Sequence, residues 1–438
     1  MQNVNLKYLD FEKKVHQTLD KYYFTKHERQ YGVAVSGGPD SMLLLNVLSR
    51  WAKLEGKFLS VFSFDHNLRK DSSNEILFVE KACEKLKCNF IKIKWHKKPK
   101  TAVMEQARVA RYSYIAKKCI EKNIKTLFLG HHADDIAETV SMRIINNSYL
   151  EGLCPIFELR EIFNIKLFRP FLCFTKNQIL QLNSNKKIDF INDPSNFNNK
   201  YFRSRVRKIL NNEIKLKYNL IKAASVFCNI RKYNENFIKE KLKYDYFYRN
   251  EGFLEIKREI LKKYPKFLVL NFLRIAIFRL GNKNYFSKAA ILEKLYFKAF
   301  NDKSITYSLG GCILVINKKK LFIFREYNDL EKRIQILPGN NNLIWDNRFK
   351  INNKKNASIK ILPLGSILNN SFYKKNFKIN KKRIKILPFH VRKTLPAIFT
   401  LEGLLYIPHL NICELNTLEK SIEVQTIDFF DKKYDNII

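Results

Sequence analysis

Residues 31–48 read YGVAVSGGPDSMLLLNVL, and the order of residue types in this stretch decides the fold of the amino-terminal half. The apolar run ending at Val35 predicts a buried strand, and Leu43, Leu44, Val47 and Leu48 recur at helical spacing after it. Between them lies a glycine turn. Gly37 and Gly38 remove side-chain bulk, so backbone N–H groups can approach an anion closely, while the helix start adds unpaired N–H groups and the positive end of its dipole. The predicted guest is phosphate. The lysine of the GxxxxGK loop is missing, because Pro39-Asp40-Ser41 follows the glycines; this is a nucleotide loop of another kind. A bare glycine pair also suits an ordinary strand-to-helix turn.

Working outward, strands and helices alternate. A β-rich run at 58–64 delivers Asp65-His66-Asn67-Leu68-Arg69 at the carboxyl end of a strand, where open α/β sheets place ligand groups; the pair Asp65-His66 also suits a capped turn. A helix over 73–86, capped by Ser72 or Ser73, and a strand over 89–95 come next. The basic run 94–100, with Trp95 and His96 inside it, reads equally as a solvated loop or an RNA-facing edge. A helix over 103–122 puts Glu105, Arg108 and Arg111 on one face, as ligand groups or as surface ion pairs. A strand at 126–130 leads into HHADDIAET, residues 131–139. There His131 and Asp135, or Asp135 and Glu138, share a helical face; carboxylates at a helix start also serve as plain capping. Arg169-Pro170-Phe171-Leu172 precedes a helix capped by Thr175. After Asp193-Pro194-Ser195-Asn196, Arg203 and Arg207 stand four apart, suited to phosphate or carboxylate and also to simple solvation of a helix. Alternation through about residue 215 predicts an α/β fold with a doubly wound parallel sheet.

The remainder has a different texture. Residues before 31 predict one amphipathic packing helix carrying Phe11, Val15 and Leu19. From 216 to 300 the pattern is mainly helical, and short β segments at 305–308, 313–316 and 321–324 flank a Gly310-Gly311 turn. A polar joint at 352–358 precedes a small β-rich region. In it Lys374, Lys375, Lys381, Lys382 and Arg383 sit among Phe372, Tyr373 and Phe377, a mix suited to phosphates and stacked bases or to a solvated basic edge. Three domains are expected: 1–215, 216–350 and 357–438.

With 81 Lys+Arg against 41 Asp+Glu, the formal net charge of +40 favours a polyanionic partner, nucleic acid first; an A+T-rich genome would inflate lysine as well. Eight cysteines without a CxxC pair predict neither a metal knuckle nor a disulfide framework. No basic-then-apolar leader and no long apolar run is present, so a cytoplasmic protein without membrane contact is expected.

The string SGGPDS resembles the pyrophosphate-binding loop of the N-type ATP pyrophosphatases, and DHNLR is similar to their DHxLR element. Ala107-Arg108 with Ala110-Arg111-Tyr112 resembles the ARxxRY pattern, and GHHADDIAET at 130–139 resembles the GHHxDDxxET signature of the tRNA(Ile)-lysidine synthetases. DPSN, LGGCILV and PFHVRKTLP follow in that family's order. Ser204 departs from it, standing where asparagine is usual. The resemblance implies a ligase that uses ATP and Mg²⁺ to adenylate the wobble cytidine of tRNA(Ile) with a CAU anticodon, then joins free L-lysine to its carbon 2. On this resemblance Ser36, Gly37, Gly38, Pro39, Asp40, Ser41, Asp65 and Arg108 bind ATP, and Asp40 holds the metal. Asp134, Asp135 and Glu138 recognise the lysine ammonium or take its proton, with His132 a weaker candidate; Arg111, Arg203, Arg207, Lys382, Arg383 and Arg392 hold phosphate or tRNA. A homodimer is compatible with it. Two other readings stand beside it. A tRNA thiolase uses the same loop but wants a reactive cysteine, often in a CxxC pair. A non-catalytic tRNA-binding protein would have lost residues from the loop.

Overall fold

The computed structural model describes residues 7–65, 72–95, 103–148, 153, 157–192, 202–283, 289–301, 304–331, 333–369, 384–400, 403, 405–413 and 421–429. His66 to Arg69, the DPSN string, Lys374, Lys375, Lys381, Lys382 and Arg383 lie outside the described residues. The chain divides into two compact units, Met1–Arg231 and Lys232–Ile438.

In the first unit, helices α1 (Tyr8–Asp20) and α2 (Tyr23–His27) precede β1 (Gln30–Ala34). The single helix expected before the glycine loop is therefore two. Thr25 Oγ1 donates to the Leu19 and Tyr22 carbonyls at 2.7 and 2.6 Å, giving them a partner other than the helix ladder. Then come α3 (Pro39–Leu54), β2 (Phe58–Asp65), α4 (Ser72–Leu86), β3 (Asn89–Lys94), α5 (Val103–Glu121), β4 (Thr126–Phe128) and α6 (Ala133–Ile145). The unit continues with β5 (Leu159–Ile162), β6 (Ile165–Phe168), α7 (Lys176–Asn185), α8 (Phe202–Asn212) and the start of α9 (Ile214–Lys241).

The sheet order is β3-β2-β1-β4-β6-β5, parallel throughout except for β5 on β6. The chain runs outward from β1 through β2 and β3, then returns to β4 on the other side of β1. That reversal opens a crevice at the carboxyl ends of β1 and β4, the usual ligand position in such a sheet. Helix α3 is anchored there by Leu43, Leu44, Leu45, Val47 and Leu48, all fully buried with Phe11, Val15 and Leu19 of α1 and Phe171 and Phe174 of the segment before α7. Each such side chain contributes about 1.5–3 kcal/mol of gross burial, so the loop before α3 stands on a rigid base.

The second unit begins its sheet with β7 (Tyr246–Arg249) and β8 (Phe253–Lys257), continued by β9 (Ile305–Leu309), β10 (Cys312–Ile316) and β11 (Lys320–Arg325). They form an antiparallel sheet in the order β7-β8-β11-β10-β9. The sequence pattern of 216–300 read as mainly helical; helices Lys266–Gly281 and Ala289–Asn301 are there, and the β7–β8 hairpin lies among them. Strands β12 (Gln335–Leu337), β13 (Asn341–Trp345), β14 (Phe349–Asn353), β15 (Ile359–Pro363), β16 (Pro396–Phe399), β17 (Leu405–Ile407), β18 (Ile412–Cys413) and β19 (Ile422–Thr426) make two further sheets, β12-β15-β16-β17-β18 and β13-β14-β19. β structure thus starts before residue 357, and the polar run at 352–358 joins β14 to β15. Asp346 and Asn347, at φ of +49° and +54°, turn the β13–β14 hairpin, with Arg348 N donating to Trp345 O at 3.0 Å. Two successive positive φ values make the turn whose twist matches the strands.

Candidate active site

The glycine loop is Ser36-Gly37-Gly38 between β1 and α3, with Pro39 at the first helical position. Gly37 has φ +84°, a conformation glycine reaches without a Cβ penalty, and its carbonyl accepts from Ile191 N at 2.9 Å. Ser41 Oγ closes the loop on itself, donating to Gly38 O at 2.9 Å and accepting from Ser36 N at 3.2 Å. Asn183 of α7 donates to Pro39 O at 3.0 Å. Across the crevice, a Cβ on Gly130 would lie 3.2 Å from the Asp40 carbonyl and 3.3 Å from Ser41 N. Gly130 lets the β4–α6 connection rest directly on the start of α3, so the two motifs meet at their backbones.

That meeting gathers four carboxylates with four cations. Asp134, Asp135 and Glu138 are buried on the first turns of α6. Asp134 accepts from Lys176 N at 3.1 Å and from Lys217 Nζ at 2.7 Å. Asp135 accepts from His132 N at 3.0 Å and Arg203 Nη2 at 2.5 Å. Glu138 accepts from Arg203 Nε and Arg207 Nε, each at 2.6 Å. Asp40 is bound through both oxygens by Lys176 Nζ, at 2.6 and 2.8 Å. His132 caps α6 and sits between them, Nε2 lying 3.7 Å from Asp40 Oδ1 and 3.6 Å from Asp135 Oδ2; its buried Nδ1 has no hydrogen-bond partner among the described residues. Burial alone would raise the Asp135 carboxyl, but the charges of His132 and Arg203 with the His132 N–H bond hold it well below the usual carboxylate range.

Next to this knot is a group with excess positive charge. Arg108 and Arg111 of α5 lie over the ring of buried Tyr112, at 5.9 and 5.1 Å from its centre. Burial pushes the Tyr112 phenol up, yet Arg111, Arg108 and Arg169 together bring it down to about 8. Burial, reinforced by the same three arginines and opposed by Asp135, holds His131 well below its ordinary value, so the ring is neutral and its Nδ1 accepts from Arg169 Nε at 3.2 Å.

The structure therefore brings Ser36 to Ser41, His132, Asp134, Asp135, Glu138, Arg203 and Arg207 together. Asp65 ends β2 buried, its carbonyl accepting from Trp95 N at 2.9 Å. Arg392 belongs to the second unit, on the helix Phe389–Thr394, 5.3 Å from the Phe389 ring centre. Sequence reading gives no role to Lys176, Lys217 or Arg169, the last of which enters it only within the string Arg169-Pro170-Phe171-Leu172 before α7. A cavity of about 500 Å³ lined by Gln30, Lys53, Lys57, Phe58 and Asn89 opens at the opposite, amino end of β1 and β2 and takes no part in this chemistry. Among the described residues no group of three or more His, Cys, Asp or Glu side chains is arranged to hold a metal, and no helix is long and apolar enough to cross a membrane.

The PP-loop domain model matches residues 8–214. The tRNA(Ile)-lysidine synthase of Orientia tsutsugamushi (strain Boryong) is 28% identical over 414 residues, covering 89% of this chain and 91% of the relative. That of Wolbachia pipientis wMel is 30% identical over 352 residues, covering 77% of this chain and 80% of the relative. The chain belongs to the tRNA(Ile)-lysidine synthase family. This is a carbon–nitrogen ligase family built on a PP-loop ATP-pyrophosphatase domain, and in this member the loop and the acidic helix start face one another across the sheet's switch point. Among solved structures, the U34-tRNA thiolase NcsA from Methanococcus maripaludis is similar with a TM-score of 0.44 and 21% identity, covering 50% of this chain and 77% of that chain.

Proposed function

We propose that the protein attaches free L-lysine to carbon 2 of the wobble cytidine in the CAU anticodon of tRNA(Ile), in two steps at one site. The cytidine 2-oxygen attacks the α-phosphate of ATP, forming the adenylated base and releasing pyrophosphate; the ε-amine of lysine then attacks carbon 2 and AMP leaves. The observation that carries this reading is Lys217. Its ε-ammonium, the same chemical group as the acceptor's, sits 2.7 Å from Asp134, a carboxylate joined through Lys176 to the glycine loop's Asp40.

In this reading Gly37, Gly38 and the N–H groups at the start of α3 cradle the pyrophosphate, aided by Ser36, Pro39 and Ser41, with Asp65 and Arg108 on the rest of the nucleotide. Magnesium fits Asp40, because it binds through one or two carboxylates plus substrate phosphates and keeps several waters. When bound with ATP it would neutralise charge on the leaving pyrophosphate. Lysine must lose a proton from an ammonium whose reference pKa is about 10.4 before it attacks. Asp134 receives it, while Asp135 and Glu138, tied to Arg203 and Arg207, shape the pocket beside it. His132, between Asp40 and Asp135, is the alternative proton carrier. Arg111, Arg203, Arg207 and Arg392, with Lys382 and Arg383, would contact tRNA phosphates. The three-part division 1–215, 216–350 and 357–438 is then catalytic, connecting and tRNA-gripping.

The test incubates purified protein with ATP, Mg²⁺, radiolabelled lysine and a CAU-anticodon isoleucine tRNA transcript, with Asp40→Ala as control. Lysine held in the tRNA through mild alkali, which strips aminoacyl esters, is the expected outcome. AMP formation without lysine incorporation would remove the acceptor from the proposal.

A further inference from the structure

We propose that Lys176 is a phosphate-binding residue of the adenylation step, parked on Asp40 when no nucleotide is bound and passing to the β,γ-phosphates when ATP enters. The inference rests on the reading of the glycine loop as an ATP site.

Three observations carry it. First, Lys176 Nζ lies 2.6 and 2.8 Å from the two oxygens of Asp40, one residue past Pro39 at the start of α3, so its charge already stands beside the loop. Second, its root is fixed. Lys176 opens α7 behind a Thr175 cap, its own N–H donates to Asp134, and Asn183 of the same helix ties α7 to the Pro39 carbonyl. Only the four-carbon stem is left to change direction. Third, both partners are partly open to solvent, with side-chain exposures of 31% and 26%. An ion pair so exposed contributes little to stability, which makes a purely structural role a poor account of it. The ammonium and a divalent cation compete for the same carboxylate, and the exchange frees a positive charge when the pyrophosphate arrives to receive it.

Binding of α,β-methylene-ATP and of AMP to the full chain, measured by calorimetry, tests this. With Mg²⁺, Lys176→Met is expected to weaken α,β-methylene-ATP by about tenfold or more while leaving AMP, which has no β,γ-phosphates, within about twofold; Lys176→Arg recovers most of the loss. In chelator, Asp40→Asn should bind α,β-methylene-ATP more tightly than wild type, and Asp40→Asn/Lys176→Met should lose that gain. Equal changes for both ligands, or none, would overturn the role of Lys176 alone. A wild-type chain that binds neither ligand would overturn the ATP reading itself and this inference with it.

Discussion

Two networks of carboxylates and cations stand in the two units of this chain, and they are built to different standards. Around Asp346 the second unit buries the centre of the network: Asp346 is fully excluded from solvent, Arg325 and Arg348 beside it at 2.9 to 3.3 Å are buried with it, and Arg333, at 3.3 Å, is the one guanidinium on Asp346 that reaches water among the described residues, with Asn282 of the preceding helix cap alongside. Around Asp134, Asp135 and Glu138 the acids are buried, as Lys217 largely is, but Arg203, Arg207 and Lys176 keep about a third of their side chains in water. A carboxylate held between dry guanidiniums, as Asp346 is between Arg325 and Arg348, can only hold its shape. One whose cations are half-wet can trade partners with a substrate, because a released guanidinium or ammonium is resolvated where it stands.

That contrast predicts where substitution hurts the fold and where it hurts chemistry. The largest effect is expected from Asp346→Ala, which leaves the buried Arg348 without its carboxylate and Arg325 with Asp329 alone, and costs about 3–5 kcal/mol in urea unfolding; ATP-analogue binding by the folded fraction should not change. Next comes Glu138→Ala. Arg203 keeps Asp135 and the partly exposed Arg207 turns to solvent, so the stability loss stays below about 2 kcal/mol, while lysine incorporation falls ~100-fold or more through loss of the ordered pocket. If Glu138→Ala proves as unstable as Asp346→Ala, exposure is the wrong criterion.

The third test uses pH. Tyr112 has its phenol brought from 10 to about 8 by the three arginines against burial. A depressed folded-state value means that the unfolded chain holds the proton more tightly between pH 8 and 10. Stability from this group is therefore absent below pH 8 and grows to about 2 kcal/mol by pH 10. Tyr112→Phe should erase that rise in denaturant midpoint; a parallel rise in the variant would show that the arginines are neutralised by something else.

These networks also mark what a sequence can and cannot announce. The glycine loop and the acidic helix start are contiguous strings, each with its own strand before it, so the sheet, its switch point and the carboxylates were legible. Their cations were not. Lys176 and Lys217 reach Asp40 and Asp134 from 136 and 83 residues away, and nothing local separates them from the other members of an 81-strong set of lysines and arginines. The Asp346 turn was likewise silent: sequence reading passes over Asp346-Asn347, and only the packed structure collects three arginines upon it. The β7–β8 hairpin did leave a mark, Gly252 at φ +74°, hidden by the helical stretches on either side.

Gly252 also sets the scale for the smallest effect, expected at Gly37. Both glycines have positive φ, so alanine at either meets about 1 kcal/mol of backbone strain. The surroundings then diverge. At Gly37 the new Cβ lies 3.2 Å from Ile191 Cδ1, the free end of a flexible side chain, whereas at Gly252 it lies 2.7 Å from Phe349 Cζ and 3.3 Å from Arg348 Cδ, against the dry network itself. Gly37→Ala should therefore cost little beyond the backbone strain, with its larger signature in weaker ATP-analogue binding as the loop shifts. Gly252→Ala should show no change in nucleotide binding but a distinctly lower melting temperature. Equal melting temperatures for the two variants would mean that the first unit's crevice is packed as tightly as the Asp346 turn, and its cations would then have no room to change partners.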